Sequence, residues 1–280
     1  MNGTRAPAGE GPGANHRPPA AKKGYGQHFL NDPRILGRIV AGAGVQPGER
    51  VLEIGPGPGT LTRTLLDAGA VVWAVEADPR MVEHLEAAAL PGLRLIAGDA
   101  LEVDYRALAG SAGGPFRLVA NLPYNISGPL LALLLRQREA FVSLSVMLQK
   151  EVADRLLAPA GGRTRGRLSV LAQCFCELRP LLRVAPGAFR PPPKVDSAVV
   201  RMDPREAPPA TLRDEETLWR VVRHGFGQRR KMLRNTLRGV CADPLRLLQA
   251  SGLTGTERPE ALSVLQWIAL ANALAAEEGG

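Results

Sequence analysis

The sequence predicts an α/β protein: a parallel sheet wound by helices on both faces, then a small all-α domain. Three observations carry this expectation. From residue 50 onward, short apolar runs alternate with helical patterns, as in a wound parallel sheet. Polar residues follow the ends of successive runs, namely Gly55, Glu76, Asp99 and Asn121. They are spaced 21, 23 and 22 residues apart, about one βα unit each. Beyond a proline-bearing stretch at 203–210 the pattern stays helical, with no convincing strand.

Taken in order, residues 1–22 are rich in Gly, Pro and Ala and lack the apolar block of a signal peptide. They are expected to form a disordered tail. Strands are predicted at 50–54, 71–75, 94–96, 118–120 and 144–148, with helices at 60–68 and 79–88 among them. Residues 167–174 read as a further helix. The β-branched alternation of 195–202 reads as a late antiparallel strand. The expected division is a sheet domain over 23–204 and a helical domain over 205–280, with Pro204, Pro208 and Pro209 marking the linker.

Composition narrows the function. The chain has 280 residues, 45% apolar and 22% charged, which suits a soluble protein with a sufficient core. No apolar run is long enough for a membrane span, and a cytoplasmic protein is expected. Cys174, Cys176 and Cys241 are too few and odd in number for a disulfide framework. A zinc site at Cys174 and Cys176 would need two more ligands, and no histidine is near in sequence, so no metal is expected. The net charge of +8 is concentrated: between Trp219 and Arg238 lie Arg220, Arg223, Arg229, Arg230, Lys231, Arg234 and Arg238, with no acid among them. A solvated helix face normally interleaves both signs, whereas a one-sign stripe suits a polyanion. Arg230, Arg234 and Arg238 recur every four residues, which predicts one basic stripe on an RNA-binding helix, with Leu233, Leu237 and Val240 on a core face.

In an open parallel sheet, ligands bind outside the carboxyl ends of the strands. The loop Gly55-Pro56-Gly57-Pro58-Gly59 allows a tight turn and close approach of a ligand. Glu76 stands where a nucleotide-binding fold places an acid to accept ribose hydroxyls. A nicotinamide enzyme would share those features. Asp99 tips the balance, because a second acid can accept from an adenine amino group and would sit awkwardly beside a pyrophosphate. Asn121-Leu122-Pro123-Tyr124 points to the reaction. Adenine N6 is a poor nucleophile, its lone pair being delocalised into the ring. The Asn121 oxygen and a backbone carbonyl held by Pro123 could bind both N6 hydrogens, and these bonds strengthen as the nitrogen attacks a methyl sulfonium. Tyr124 offers a face for an unstacked base, a contact of about 1–3 kcal/mol. A base inside a duplex would have to be flipped out.

Together these residues resemble the bacterial small-subunit (16S) rRNA adenine-N6,N6-dimethyltransferases over about residues 23–275. The motifs are Gly26-Gln27-His28-Phe29-Leu30, the Gly55–Thr60 loop, Asn121-Leu122-Pro123-Tyr124-Asn125-Ile126-Ser127 and Gln149-Lys150-Glu151-Val152. Further on come Gly166-Arg167-Leu168-Ser169, Phe189-Arg190-Pro191-Pro192-Pro193-Lys194-Val195-Asp196-Ser197, and Gln228-Arg229-Arg230-Lys231 with Arg234-Asn235. The resemblance implies a Rossmann-like class I S-adenosylmethionine-dependent methyltransferase domain with a small C-terminal all-α domain. It implies that His28 and Leu30 belong to a segment closing over the cofactor. Gly55, Gly57, Glu76, Asp99 and Asn121 would contact S-adenosylmethionine, with Ala100 near its adenine. Asn121, the Leu122 carbonyl, Pro123 and Tyr124 would hold the target base, and Phe189 would cover its other face. Many relatives carry Asn at the position of His28. The implied partner is small-subunit rRNA in a pre-30S particle, bound by a monomer, with two adjacent adenines near the 3′ end as targets.

Three rival functions share part of the pattern. A large-subunit rRNA methyltransferase of the macrolide-resistance type shares the sheet and the Asn-Leu-Pro-Tyr motif but not the triple proline and Gln-Arg-Arg-Lys segments. A non-catalytic ribosome-assembly factor would not need an intact Asn121–Tyr124 motif. A DNA adenine methyltransferase more often carries Asp-Pro-Pro-Tyr or Asn-Pro-Pro-Tyr at the site.

Overall fold

The computed structural model describes residues 18–22, 24, 27–228 and 230–278. The tail expected before residue 18, together with Gly26 and Arg229, lies outside the described residues. A seven-stranded sheet forms the centre. Its strands are β2 (Arg50–Ile54), β3 (Val71–Glu76), β4 (Leu93–Ala97), β5 (Phe116–Asn121), β6 (Phe141–Gln149), β7 (Cys176–Val184) and β9 (Ser197–Pro204), in the spatial order β4-β3-β2-β5-β6-β9-β7. The five strands from β4 to β6 run parallel, and only β9 is reversed. A separate two-stranded ribbon pairs β1 (Phe29–Leu30) with β8 (Phe189–Arg190).

The strands are apolar on both faces because helices cover both. On one face, α1 (Pro33–Ala43) and α2 (Thr60–Asp67) pack Leu36, Ile39, Val40, Leu61 and Leu65 against Val51, Val72 and Val119. On the other, α4 (Tyr105–Ser111), α5 (Ser127–Arg136) and α7 (Arg167–Phe175) pack Tyr105, Leu130, Leu134 and Phe175 against Leu52, Leu118 and Val146. The helices α3 (Pro79–Ala87) and α6 (Lys150–Leu157) complete the sheet layer. Asp32-Pro33 and Asp78-Pro79 start α1 and α3 in the same way: the carboxylate accepts first-turn N–H groups, and the proline stands where no donor is needed. Chain order reverses between β2 and β5, and their following helices α2 and α5 lie on opposite faces. A crevice is left at their carboxyl ends.

Strand β7 was not expected. Pro180 breaks its alternation, at a position where the pairing register shifts, and an edge strand tolerates both. The predicted basic helix is also corrected. Helix α8 (Glu215–Gly225) stops short of it, Arg230 has a left-handed φ of 67°, and the chain re-enters a helix only at α9 (Leu233–Thr236). Arg230, Arg234 and Arg238 therefore do not form one helical stripe, although Leu233 and Leu237 are core residues as expected. Helices α10 (Pro244–Ala250) and α11 (Val264–Glu278) complete the C-terminal part. It is joined to the sheet layer by one apolar cluster holding Phe175, Leu218, Trp219, Trp267 and Leu274. Arg136 and Arg138 lie over the Trp219 and Phe175 rings and pair with Glu216 and Glu215.

At the end of α8, a Cβ added at Gly225 would come within 2.4 Å of the Trp267 ring. Gly225→Ala should therefore lower stability by about 1–3 kcal/mol, the usual effect of overpacking. A thermal melt of the variant at or above the wild-type midpoint would contradict this packing.

Candidate functional site

The crevice at the ends of β2, β3 and β5 is a cavity lined by Gly55, Gly57, Glu76, Asp99, Ala100 and Asn121–Tyr124, together with Gln27, His28 and Phe29. The strand-end residues spaced along the sequence thus meet in one place. Gly57 has φ of 54°, and a Cβ there would sit 2.9 Å from the Phe29 ring. The loop can pass beneath the N-terminal segment only as glycine.

Glu76 is buried, and each of its oxygens takes a backbone N–H: Gly57 at 2.9 Å and Asp78 at 2.8 Å. Burial raises its pKa, the two N–H groups oppose that rise, and the carboxylate is fixed in place. Asp99 is exposed; one oxygen accepts from the Leu101 N–H at 2.9 Å. Glu53, at the end of β2, is fully buried, with Thr62 Oγ1 donating to it at 2.6 Å. Desolvation first, and then Glu76, push its carboxyl from 4.5 to about 8. Neither the glycine pattern nor the strand-end spacing singled out this acid, because it reads as part of an apolar strand.

Asn121 occupies the centre. Its Nδ2 donates to the His28 carbonyl at 3.0 Å, and its Oδ1 is buried with no hydrogen-bond partner. An unpaired buried acceptor costs about 1–3 kcal/mol, so it marks a place where a donor belongs. Tyr124 donates to or accepts from Ser197 Oγ at 2.6 Å, and burial raises its phenol pKa. The ring is neutral and held at its far end. Leu122 is buried and lines the cavity beside Asn121.

Two expected site residues lie elsewhere. Phe189 is fully buried in the apolar cluster beneath β1 and presents no face to the cavity. Leu30, its partner in the ribbon, is also buried. The Leu30 carbonyl accepts from Thr60 Oγ1 at 2.8 Å, so the residue anchors the segment rather than lining the cavity. Both are apolar side chains drawn into the core when β1 pairs with β8. Gln27, which reaches Asp78 at 3.0 Å, and Phe29 line the cavity without having been expected to. The basic residues Arg223, Arg230, Lys231, Arg234 and Arg238 are all exposed and form no ion pair with a described acid. Among the described residues no cluster of His, Cys, Asp or Glu could hold a metal.

This wound sheet, with a glycine loop, two strand-end acids and an Asn-Leu-Pro-Tyr loop at one opening, is that of a class I S-adenosylmethionine-dependent methyltransferase. The sequence profile of the ribosomal RNA adenine dimethylases matches residues 19–276. The chain is 48% identical over 252 residues to a ribosomal RNA small subunit methyltransferase A of Magnetococcus marinus, covering 89% of this chain and 90% of that one. It is 49% identical over 255 residues to the protein of the same name from Phenylobacterium zucineum, covering 90% and 88%. Among solved structures it is similar to a dimethyladenosine transferase from Plasmodium falciparum, at 27% identity and a TM-score of 0.71, covering 87% and 96%. The 23S rRNA methyltransferase ErmE is also similar, at 26% identity and a TM-score of 0.65, covering 88% and 99%. The chain belongs to the ribosomal RNA adenine dimethylase family, whose members use S-adenosylmethionine.

The cavity fits that cofactor. Glu76 is a fixed acceptor, and Asp99 keeps an oxygen free at the cavity wall. Glu76→Ala and Asp99→Ala should each weaken S-adenosylmethionine binding by about 1–3 kcal/mol, the range for hydrogen bonds to a charged group. Calorimetry with unchanged affinity in both would remove these acids from the cofactor site.

Glu53 adds a pH effect. Its folded-state pKa of about 8 lies above the ordinary 4.5, so the native state keeps a proton that the unfolded chain loses. Its contribution to stability is therefore withdrawn as pH rises from about 4.5 to about 8. Glu53→Gln should gain on wild type between pH 5 and pH 8 by at least about 3 °C in melting midpoint, the equivalent of one kcal/mol in a chain of this size. A constant difference across that range would contradict the assignment.

Proposed function

We propose that this enzyme dimethylates N6 of two adjacent adenines near the 3′ end of small-subunit rRNA, acting as a cytoplasmic monomer on a pre-30S particle. The observation that carries the reading is the buried, unpartnered Oδ1 of Asn121 at the end of β5. Asn121 Oδ1 accepts one N6 hydrogen and the Leu122 carbonyl accepts the other, with Pro123 fixing the turn between them. As N6 pyramidalises and gains positive charge, both bonds strengthen, so they lower the barrier more than they tighten the ground state. Because Asn121 Nδ2 is tied to the His28 carbonyl, the amide presents its oxygen, not its nitrogen, to the base. Tyr124, tethered through Ser197, gives the base a face. S-adenosylmethionine, when bound, would supply the methyl group, its S–C bond breaking as the N6–C bond forms, and the N6 cation would shed its extra proton to solvent.

The small-subunit target is supported by the names of relatives at 48–49% identity, and by the triple proline and Gln-Arg-Arg-Lys segments. Three unbridged cysteines suit a reducing compartment, and among the described residues no helix is long and apolar enough to cross a membrane. Phosphates are held by the exposed basic turn, with Arg223, Arg230, Lys231, Arg234 and Arg238. Arg229, outside the described residues, belongs to the same run.

Asn121→Ala should lower the single-turnover methylation rate of small-subunit rRNA by at least about a hundredfold while RNA affinity stays near wild type, as expected for a transition-state contact. A rate within a few-fold of wild type would refute the role of Asn121. Removing two phosphate contacts with Arg230→Gln and Arg234→Gln should lessen the salt slope of RNA binding by roughly two log units per log unit. An unchanged slope would make the turn a solvated surface, and lost cofactor binding would show that the substitutions had damaged the fold.

A further inference from the structure

A second groove lies where the C-terminal helices meet the sheet layer, and it shares no lining residue with the cleft. It encloses about 490 Å³, with Arg136 of α5 and Arg167 of α7 on the sheet side and Arg220 and Arg223 of α8 on the other. Three acids also line it, and each is already engaged. Glu216 pairs with Arg136, Glu278 pairs with Arg220, and Asp214 caps α8 by accepting the Thr217 N–H at 2.7 Å. Two cations are left over. Arg167 and Arg223 are exposed, and their side chains make neither an ion pair nor a hydrogen bond with any described residue. Arg167 is moreover the first residue of α7, the positive end of the helix dipole, where an acid is favoured and a cation is not.

We infer that this groove holds the phosphate backbone of the RNA, with Arg167 and Arg223 as its two phosphate ligands. The inference rests on the rRNA reading above. A phosphate between them would supply the anion that neither arginine finds in the protein, and it would offset the cation at the start of α7. The groove is not built to read bases. Among its described lining residues there is no Asn or Gln, the Thr217 hydroxyl is taken by Arg220 at 3.4 Å, and the Trp219 ring is covered by the Arg136 guanidinium. Such a lining positions a strand without specifying its sequence. Arg223 stands in the last turn of α8, and the chain passes from there into the basic turn. The groove therefore carries the basic surface from the C-terminal helices onto α7.

The test measures binding of the full chain to small-subunit rRNA across a salt series, with S-adenosylmethionine affinity and melting midpoint in parallel. Arg167→Gln should lessen the salt slope by about one log unit per log unit, so the affinity lost between about 50 and about 200 mM salt shrinks about fourfold. Adding Arg223→Gln should lessen the slope by about two in all. Arg167→Lys should restore the wild-type slope, because a point charge suffices for a phosphate. Cofactor affinity should stay at the wild-type value, and the melting midpoint of Arg167→Gln should equal or exceed it, since a cation leaves the start of α7. An unchanged slope in both glutamine variants would overturn the inference, and a lowered midpoint with that unchanged slope would make Arg167 a structural residue. Weaker binding to small-subunit particles, with an unchanged slope on free rRNA, would overturn it in favour of a protein contact. The Arg230→Gln, Arg234→Gln protein separates the two levels. A reduced slope there alone leaves RNA binding at the turn without the groove; no reduction in any variant removes the basic surface from RNA binding altogether.

Discussion

The cleft exists because β2 and β5 are parallel neighbours whose connections leave on opposite faces of the sheet. Neither α2 nor α5 can cover the strand ends from which it departs. Every group in the site depends on that geometry. The glycine loop turns out of β2, Glu76 closes β3, and Asn121 closes β5, all within one opening. Buried backbone donors then fix the groups: Gly57 and Asp78 hold Glu76 rigidly enough for it to stay an acceptor despite its burial.

The N-terminal segment completes what the sheet begins. Gln27, His28, Phe29 and Leu30 each bind a different part of the cleft: the α3 cap, the Asn121 amide, the glycine loop and Thr60. The segment is attached through a ribbon of only two residue pairs to β8, so it is short of ladder hydrogen bonds and rich in side-chain contacts. Its hold on the Asn121 loop is specific rather than extensive.

Much of this was legible in the sequence. The sheet strands from β2 to β6, the reversed β9 and the meeting of Gly55, Glu76, Asp99 and Asn121 all follow from local patterns: apolar runs of strand length and polar residues one βα unit apart. What escaped depends on partners remote in sequence. Strand β7 forms because β9 offers it an edge, against the preference of Pro180. Phe189 looks like a site aromatic beside the proline run, yet its pairing with Leu30, far earlier in the chain, carries it into the core. The four-residue recurrence of arginines suggests a helix, but Gly225 against Trp267 and the left-handed Arg230 turn the chain first. Glu53 was hidden for the opposite reason: an acid inside an apolar strand shows its role only when Thr62 and Glu76 are brought beside it.

The stacked Phe175 and Trp219 rings, capped by Arg138 and Arg136, join the C-terminal helices to the sheet layer. On the proposed reading, an RNA held at the basic turn would present to the cleft only those nucleotides that reach it from that anchor, so the length and fold of the RNA between the two would enter into target choice.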